Sequence, residues 1–436
     1  CEDKFLNLSY KRRFTMANAP TLRPSQNGHY LVEAQGNPFF WLGDTAWPLF
    51  VHYSREEAET YLVDRAQRGF NVVQTIFALG TSNNISAFEG TAPSPNPVGA
   101  RPWDNTPAEP NPRFFDYAAE LMERANQLGL YICVAPMWGY GVTNLHLFDE
   151  QNAYTYGCWL GQRFRDQPNI IWMNGCDREP IGYEGIYSAL AEGLRRGDEG
   201  SHLITYHPSG SRSSSYFWQS AAWLDFHMIQ TWTRWYHIYQ MVAADYGLTP
   251  TRPVILAEGA YEDGPEYPTR PITPLLVRRQ AWWAWMAGGF FTYGQNEMWR
   301  MEKGWLDTRN SLGAQHMTVF KQIATSRQWW DMIPDQSVFT YGESSGRTLN
   351  TAMRNSSRTC IMVYLSEQTH FVLEMNRIAT AQARATWVNP QTGETKPGGM
   401  YRTGNLIPGN TFPERISQAF TTPDFWEDAV LILDAD

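Results

Sequence analysis

From Phe39 onward, short apolar runs alternate with longer amphipathic stretches. The runs are Phe39 to Gly43, Val72 to Phe77, Leu130 to Pro136, Ile170 to Met173, Leu203 to Tyr206, Phe226 to Gln230, Val254 to Ala257 and Gly289 to Tyr293. Each has the length and the nearly unbroken hydrophobicity of a strand buried on both faces. The stretches between them read as helices. Ser54-Arg55-Glu56-Glu57 carries a capping-box signature, and Arg68-Gly69 carries a stop signal. Further helices are predicted from Phe114, Asn152, Tyr183, Ser214, Trp235, Pro274 and Leu312, the last running to Trp330. A loop rich in Pro and Asn, from about Gly80 to Pro112, is of the length that usually carries function. Eight strands alternating with eight helices predict an α/β fold, a (β/α)8 TIM barrel. A doubly wound open sheet competes, but no Gly-rich phosphate loop follows the first strand.

After Pro334 the pattern changes. Short strand-like runs at Ser337 to Tyr341, Thr359 to Leu365, Thr369 to Leu373, Ala383 to Val388 and Ala429 to Leu433 are separated by turn signals. Asn389-Pro390-Gln391-Thr392-Gly393 and Lys396-Pro397-Gly398-Gly399 are two of these turns. The expected organisation is a polar tether or edge segment over 1–21, the barrel over 22–333 and a C-terminal antiparallel β-sandwich over 334–436.

Composition narrows the chemistry. The net charge of -9 and the lack of a basic stripe argue against nucleic acid as a partner. The 5 cysteines include no CxxC pair, so neither a zinc site nor a disulfide framework is indicated. No metal or cofactor is expected. Cys1 in first position reads as either a lipid-anchored mature end, on a bacterial periplasmic or outer-surface protein, or an arbitrary boundary. No run of about 18 apolar residues occurs. Aromatic residues are abundant, with 19 Trp, 22 Tyr and 22 Phe. Most will fill the core, and some near strand tips are placed to stack on sugar rings.

The candidate chemistry lies at two strand ends. Asp177 follows the fourth strand in Asn174-Gly175-Cys176-Asp177-Arg178-Glu179-Pro180, and Glu258 ends the seventh. Barrel enzymes keep their catalytic groups at the C-terminal tips of the strands, and tips 4 and 7 face each other across the mouth. Two carboxyls there can serve as proton donor and nucleophile on a glycosidic bond. Each acid alone is equally at home capping a helix or pairing with an arginine. Glu179 rivals Asp177, and Glu262 rivals Glu258. Arg178 is expected to brace its loop. Binding groups are expected at the other tips: Asp44, Trp47, Trp138, His207, Gln230, Tyr261, Tyr293, Asn296 and Trp299.

The chain resembles the apiosidase-like glycoside hydrolase family, whose barrel is followed by a β domain named for collagen binding. The matching segments include Trp41-Leu42-Gly43-Asp44-Thr45-Ala46-Trp47, Gly69-Phe70-Asn71-Val72-Val73-Gln74, Asn169 through Arg178, Tyr206-His207-Pro208, Met228-Ile229-Gln230-Thr231, Pro253 through Glu262 and Ala287 through Gly294. In the second domain, Trp387 through Glu394 matches. The resemblance runs from about residue 22 to the end. It implies Asp177 as general acid/base, with its pKa raised by burial or by Glu258, and an ionised Glu258 as nucleophile. It further implies a retaining hydrolase acting on plant or microbial polysaccharide, for example an apiosidase or another pentofuranosidase on pectic glycan. The family usually has Gly-Gly-Asp-Arg where this chain has Gly175-Cys176-Asp177-Arg178. The competing function is a non-catalytic carbohydrate-binding or adhesion protein on a degenerate barrel.

Overall fold

The computed structural model describes residues 19–79, 93–266, 270–301, 304–404 and 415–436. Cys1, and with it the anchor reading, lies outside the described residues, as does the first part of the long loop after β2. Among the described residues no helix is long and apolar enough to cross a membrane.

All eight expected strands form: β1 (Leu42–Thr45), β2 (Val72–Ile76), β3 (Tyr131–Ala135), β4 (Ile170–Gly175), β5 (Leu203–His207), β6 (His227–Gln230), β7 (Val254–Glu258) and β8 (Phe290–Tyr293). They lie in one sheet in the order β5-β4-β3-β2-β1-β8-β7-β6, with Arg212–Ser213 added antiparallel to β6. This is a nearly closed barrel. No ladder joins β5 to β6. Discrete bonds cross that seam instead: Asp225 N donates to Ile204 O (2.9 Å), Ile204 N to Asp225 Oδ2 (2.6 Å) and Thr205 Oγ1 to Phe226 O (2.8 Å).

The surrounding helices are α1 (Arg55–Gln67), α2 (Pro112–Gln127), α3 (Glu150–Phe164), α4 (Glu184–Gly197), the short α5 (Ser215–Trp218), α6 (Ile238–Tyr246), α7 (Pro274–Met286) and α8 (Leu312–Ala324). The expected capping box is present: Glu57 N donates to Ser54 Oγ (3.2 Å) and Ser54 N to Glu57 Oε2 (2.8 Å). Helices α3 and α4 approach so closely that a Cβ on Gly161 or Gly197 would lie 2.5 or 2.3 Å from a carbonyl oxygen of the other helix. Only glycine allows that approach. These two helices flank β4 in the chain and so fix the strand that leads to Asp177. Helix α8 ends at Ala324, short of the expected Trp330, because the chain turns at Thr325–Ser326 into a separate 3₁₀ turn, Trp329–Asp331.

The second domain has two antiparallel sheets. Its strands are β9 (Met332–Pro334), β10 (Phe339–Tyr341), β11 (Thr351–Asn355), β12 (Cys360–Leu365), β13 (His370–Glu374), β14 (Gln382–Val388), β15 (Thr395–Arg402), β16 (Ser417–Thr421) and β17 (Ala429–Ala435). The six-stranded sheet runs β9-β11-β12-β17-β14-β15, and the three-stranded one β10-β13-β16. Lys396-Pro397-Gly398-Gly399 is not a turn. It lies inside edge strand β15, where a bulge opposite Ala385/Thr386 absorbs the extra glycine.

Alternation along β12 and β17 decides how the domains meet. Ile361, Val363, Leu431 and Leu433 point to the smaller sheet, whereas Met362, Tyr364, Val430 and Ile432 join the barrel core. Trp282 of α7 stacks on Tyr364, with ring centres 5.3 Å apart. At the centre of this junction Arg278 of α7 is buried. It donates to Asp428 through Nε (3.0 Å) and Nη2 (2.8 Å), while its Nη1 meets His316 Nδ1 (2.9 Å). Tyr364 OH donates to the same carboxylate (2.9 Å). Removing one partner of a buried pair leaves the other charge unpaired. Arg278→Met is therefore expected to cost about 3–5 kcal/mol. Denaturant unfolding followed by fluorescence and circular dichroism checks this, and an unchanged midpoint would contradict it.

Candidate active site

Three successive residues at the end of β4 have left-handed backbones: Gly175 (φ 84°), Cys176 (φ 85°) and Asp177 (φ 58°). A Cβ on Gly175 would lie 2.6 Å from His207 O, so glycine is required there. Backbone bonds hold the turn: Cys176 N donates to His207 O (2.9 Å), and Gly139 N to Cys176 O (3.1 Å). The turn swings Asp177 over the barrel mouth. There its Oδ1 accepts from Gln230 Nε2 (2.9 Å) at the tip of β6. Glu258, the last residue of β7, is 8% exposed.

Asp177, His207 and Glu258 each bring one donor atom to within 4.8 Å of the other two. Among the described residues this is also the one group of His, Cys, Asp and Glu close enough to hold a metal ion. His207 bridges them chemically. Its Nδ1 lies 3.1 Å from Pro208 O, an acceptor, so Nδ1 carries a hydrogen. Its Nε2 lies 3.4 Å from Glu258 Oε2. In a neutral ring with Nδ1 protonated, that contact sets one lone pair against another. It becomes attractive only when a proton sits between the two atoms.

The electrostatics agree with a shared proton. Burial first, and the Asp177 charge second, push the Glu258 carboxyl above its ordinary pKa, while His207 and Gln230 pull it back. Burial works to lower the His207 pKa, but its close contact with Glu258 and the Glu258 and Asp177 charges prevail and raise it.

A cavity of about 380 Å³ opens above this trio. Of the expected binding residues, Trp47, Gln230, Tyr261, Asn296 and Trp299 form part of its wall. Trp47 Nε1 donates to Tyr261 OH (3.0 Å), and its ring meets His207 edge-on. Four others stand apart from the wall, among them His207, which is fully buried beside Glu258. Asp44 is fully buried and is satisfied by Arg65 (3.2 Å), Tyr61 OH (2.7 Å) and Thr45 N (2.9 Å). Tyr293 is buried and donates to Glu262. Trp138 is buried behind Arg178, whose guanidinium lies 5.5 Å from its ring centre.

The rival acids are engaged elsewhere. Glu179 pairs with Arg212 (2.9 Å). Glu262 accepts from Ser311 Oγ (2.7 Å) and Gly313 N (2.8 Å), and so clamps the start of α8. Arg178 does brace its loop, donating to Asp177 O (2.7 Å) and Asn144 Oδ1 (3.3 Å), and it also faces the cavity. Sequence reasoning missed Trp232 and Arg300 on the wall. Each lies within two residues of a named candidate, Gln230 or Trp299, so proximity to a strand tip was the available signal.

Comparison with known proteins follows the same division of the chain. Residues 25–331 match the family described as "Apiosidase-like, catalytic domain". Residues 333–434 match "Putative collagen-binding domain of a collagenase". A search of curated proteins finds no significant match. Among solved structures, one titled "Glycoside hydrolase" is 26% identical, with a TM-score of 0.84 over 96% of this chain and 97% of its own. A glycoside hydrolase family 5 protein from Bacteroides vulgatus ATCC 8482 is also 26% identical, with a TM-score of 0.84 over 95% of this chain and 93% of its own. A GH27 β-L-arabinopyranosidase from Geobacillus stearothermophilus shares the fold, with a TM-score of 0.54 at 10% identity over 98% of this chain and 99% of its own. The chain belongs to the apiosidase-like glycoside hydrolase family.

Proposed function

We propose that the protein is a retaining glycoside hydrolase in which Asp177 is the general acid/base and Glu258 the nucleophile. The observation that carries this reading is the approach of the two carboxyls to within 4.8 Å. Retaining enzymes hold theirs about 5–5.5 Å apart, and inverting enzymes leave roughly 6.5–9.5 Å for a water. Glu258 attacks the anomeric carbon while Asp177 gives its proton to the departing glycosidic oxygen. Asp177, now a carboxylate, then takes a proton from water, and the resulting hydroxide equivalent displaces Glu258 from the anomeric carbon. Net displacement occurs twice, so configuration is retained.

His207 serves the first step by holding its proton against Glu258, which keeps the nucleophile ionised beside a second acid. Trp47, Trp232 and Trp299 give the cavity aromatic faces on which sugar rings stack. The family match favours a pentofuranoside such as apiose on a pectic glycan as substrate.

Asp177→Asn and Glu258→Gln are each expected to lower turnover by at least ~10²-fold, the lower bound for losing a positioned acid/base group. Both should keep the circular dichroism of the parent. Activity retained by both variants on an accepted glycan would refute the assignment. Proton NMR of the first-formed product should show the anomer of the substrate, and the opposite anomer would refute retention.

The raised pKa values of Glu258 and His207 also carry a stability consequence. A group whose pKa is raised on folding adds stability below its unfolded pKa and loses that contribution as pH rises through the folded one. The parent is therefore expected to melt at lower temperature as pH rises from mildly acidic to alkaline. Glu258→Gln, which removes the buried charge, should melt above the parent at neutral pH, and the gap should close near pH 4. A Glu258→Gln variant that is less stable at every pH would contradict this account.

A further inference from the structure

A second cavity lies at the other end of the barrel from the catalytic one. It has a volume of about 530 Å³ and sits where β8 begins, between the turn Asn27–Tyr30, the end of α6 and the link Trp329–Ile333 that enters the sandwich. Its wall is aromatic: His29, Tyr30, Tyr246, Trp285, Trp329 and Trp330 all line it. These rings hold one another in place. His29 stacks on Tyr246, with ring centres 4.0 Å apart and planes 19° from parallel. Tyr246 also packs on the backbone of Gly288, where a Cβ would lie 2.3 Å from its ring. Trp329 meets Tyr30 (5.5 Å), Phe290 (5.7 Å) and Trp330 (5.8 Å) edge-on. Trp329 is thereby covered, whereas Trp330 keeps 39% and neighbouring Ile333 37% of their surface open. Open apolar surface continuous with a preformed aromatic cavity marks a binding surface rather than a core.

We propose that this cavity is a second, non-catalytic saccharide site that takes a neutral sugar unit of a glycan chain. The polar groups beside the rings select the ligand. Asp331 accepts from Ser356 Oγ (2.5 Å) through Oδ1, and among the described residues its Oδ2 has no partner. Asn27 Oδ1 accepts from Ser25 Oγ (2.7 Å) and His29 N (3.2 Å), which leaves its amide nitrogen free to donate. A carboxylate only accepts, so its partner must bring an O–H or N–H. A sugar hydroxyl supplies that proton and also accepts from an amide such as Asn27, while the C–H face of its ring stacks on an aromatic surface. A purely apolar ligand would cover the carboxylate without bonding it. Among the described residues no lysine or arginine lines the cavity. A uronate or a sulfated sugar would therefore meet the Asp331 charge with nothing to offset it. A glycan held here stays beside the same molecule that cleaves it, which raises its concentration at the catalytic mouth.

The test reads binding and not turnover, so it stands even where the catalytic assignment fails. Affinity electrophoresis of the full chain would use native gels containing arabinan, galactan, xylan or polygalacturonate. It is run on Trp232→Ala, which removes an aromatic face from the catalytic cavity, so that the retardation that remains reports the second one. At least one neutral polymer is expected to retard this protein. Adding Trp330→Ala should weaken that binding by about tenfold, as for the loss of one stacked ring. Adding Trp330→Phe instead, which keeps a ring, should retain most of it. Asp331→Asn should fall between the two. In the polygalacturonate gel Trp330→Ala should change nothing. Trp330 is exposed, so its replacement is expected to leave the circular dichroism unaltered. A Trp232→Ala protein that no neutral polymer retards, or one whose retardation survives Trp330→Ala, would overturn the proposal.

Discussion

Two carboxyl groups within 4.8 Å of each other, one of them nearly excluded from water, repel strongly, and much of the barrel mouth works to hold them there. His207 answers the charge of Glu258 with a proton that its bond to Pro208 O orients toward the carboxylate. Gln230 answers Asp177 with an amide hydrogen. Neither partner adds a permanent opposite charge, so the pair is restrained without being neutralised. An arginine bound to either acid would lower its pKa and end the sharing of the proton. The arginines near the mouth are placed accordingly, with Arg178 bonded to a backbone carbonyl and an amide, and Arg212 to Glu179.

The sandwich contributes to the same constraint from behind. Its larger sheet is buried on both faces along the central strands β12 and β17, so it acts there as a wall for helices α7 and α8 as well as half of its own core. Arg347, on a turn of the sandwich, lies 5.4 Å from the ring centre of Trp235 and 5.3 Å from that of Tyr236. Those aromatics belong to the 3₁₀ segment Trp232–His237, whose first residues reach the cavity. The second domain therefore supports one wall of the site through packing, whatever else it binds.

The barrel was legible because its strands are buried on both faces and read as unbroken apolar runs, and because Ser54 and Glu57 cap α1 through bonds local in sequence. Carboxyls at tips 4 and 7 followed from the strand count alone. What could not be read depends on contacts distant in sequence. Asp44 looks like a binding acid at a strand tip, yet Arg65 and Tyr61 of α1 turn it into part of the core. Glu262 looks like a spare base, yet it is used by α8 through Ser311 and Gly313. In the sandwich, Lys396 to Gly399 has the composition of a turn, and only pairing with β14 makes it a bulged edge strand.

Cys176 shows how the local and the distant combine. The family pattern places glycine here, and the φ of 85° explains why, since a side chain is strained in that conformation. The cysteine nevertheless fits, buried to 2% exposure beside the acid. Burial first, then the charges of Asp177 and Glu258, push its thiol pKa well above the ordinary value. It is therefore held as a neutral thiol and is not a reactive thiolate. A neutral, weakly polar group tolerates that position where a further charge would not, because the site already holds as much negative charge as one proton on His207 can offset. The strain of Cys176 falls on the same left-handed turn that carries Asp177 over the barrel mouth.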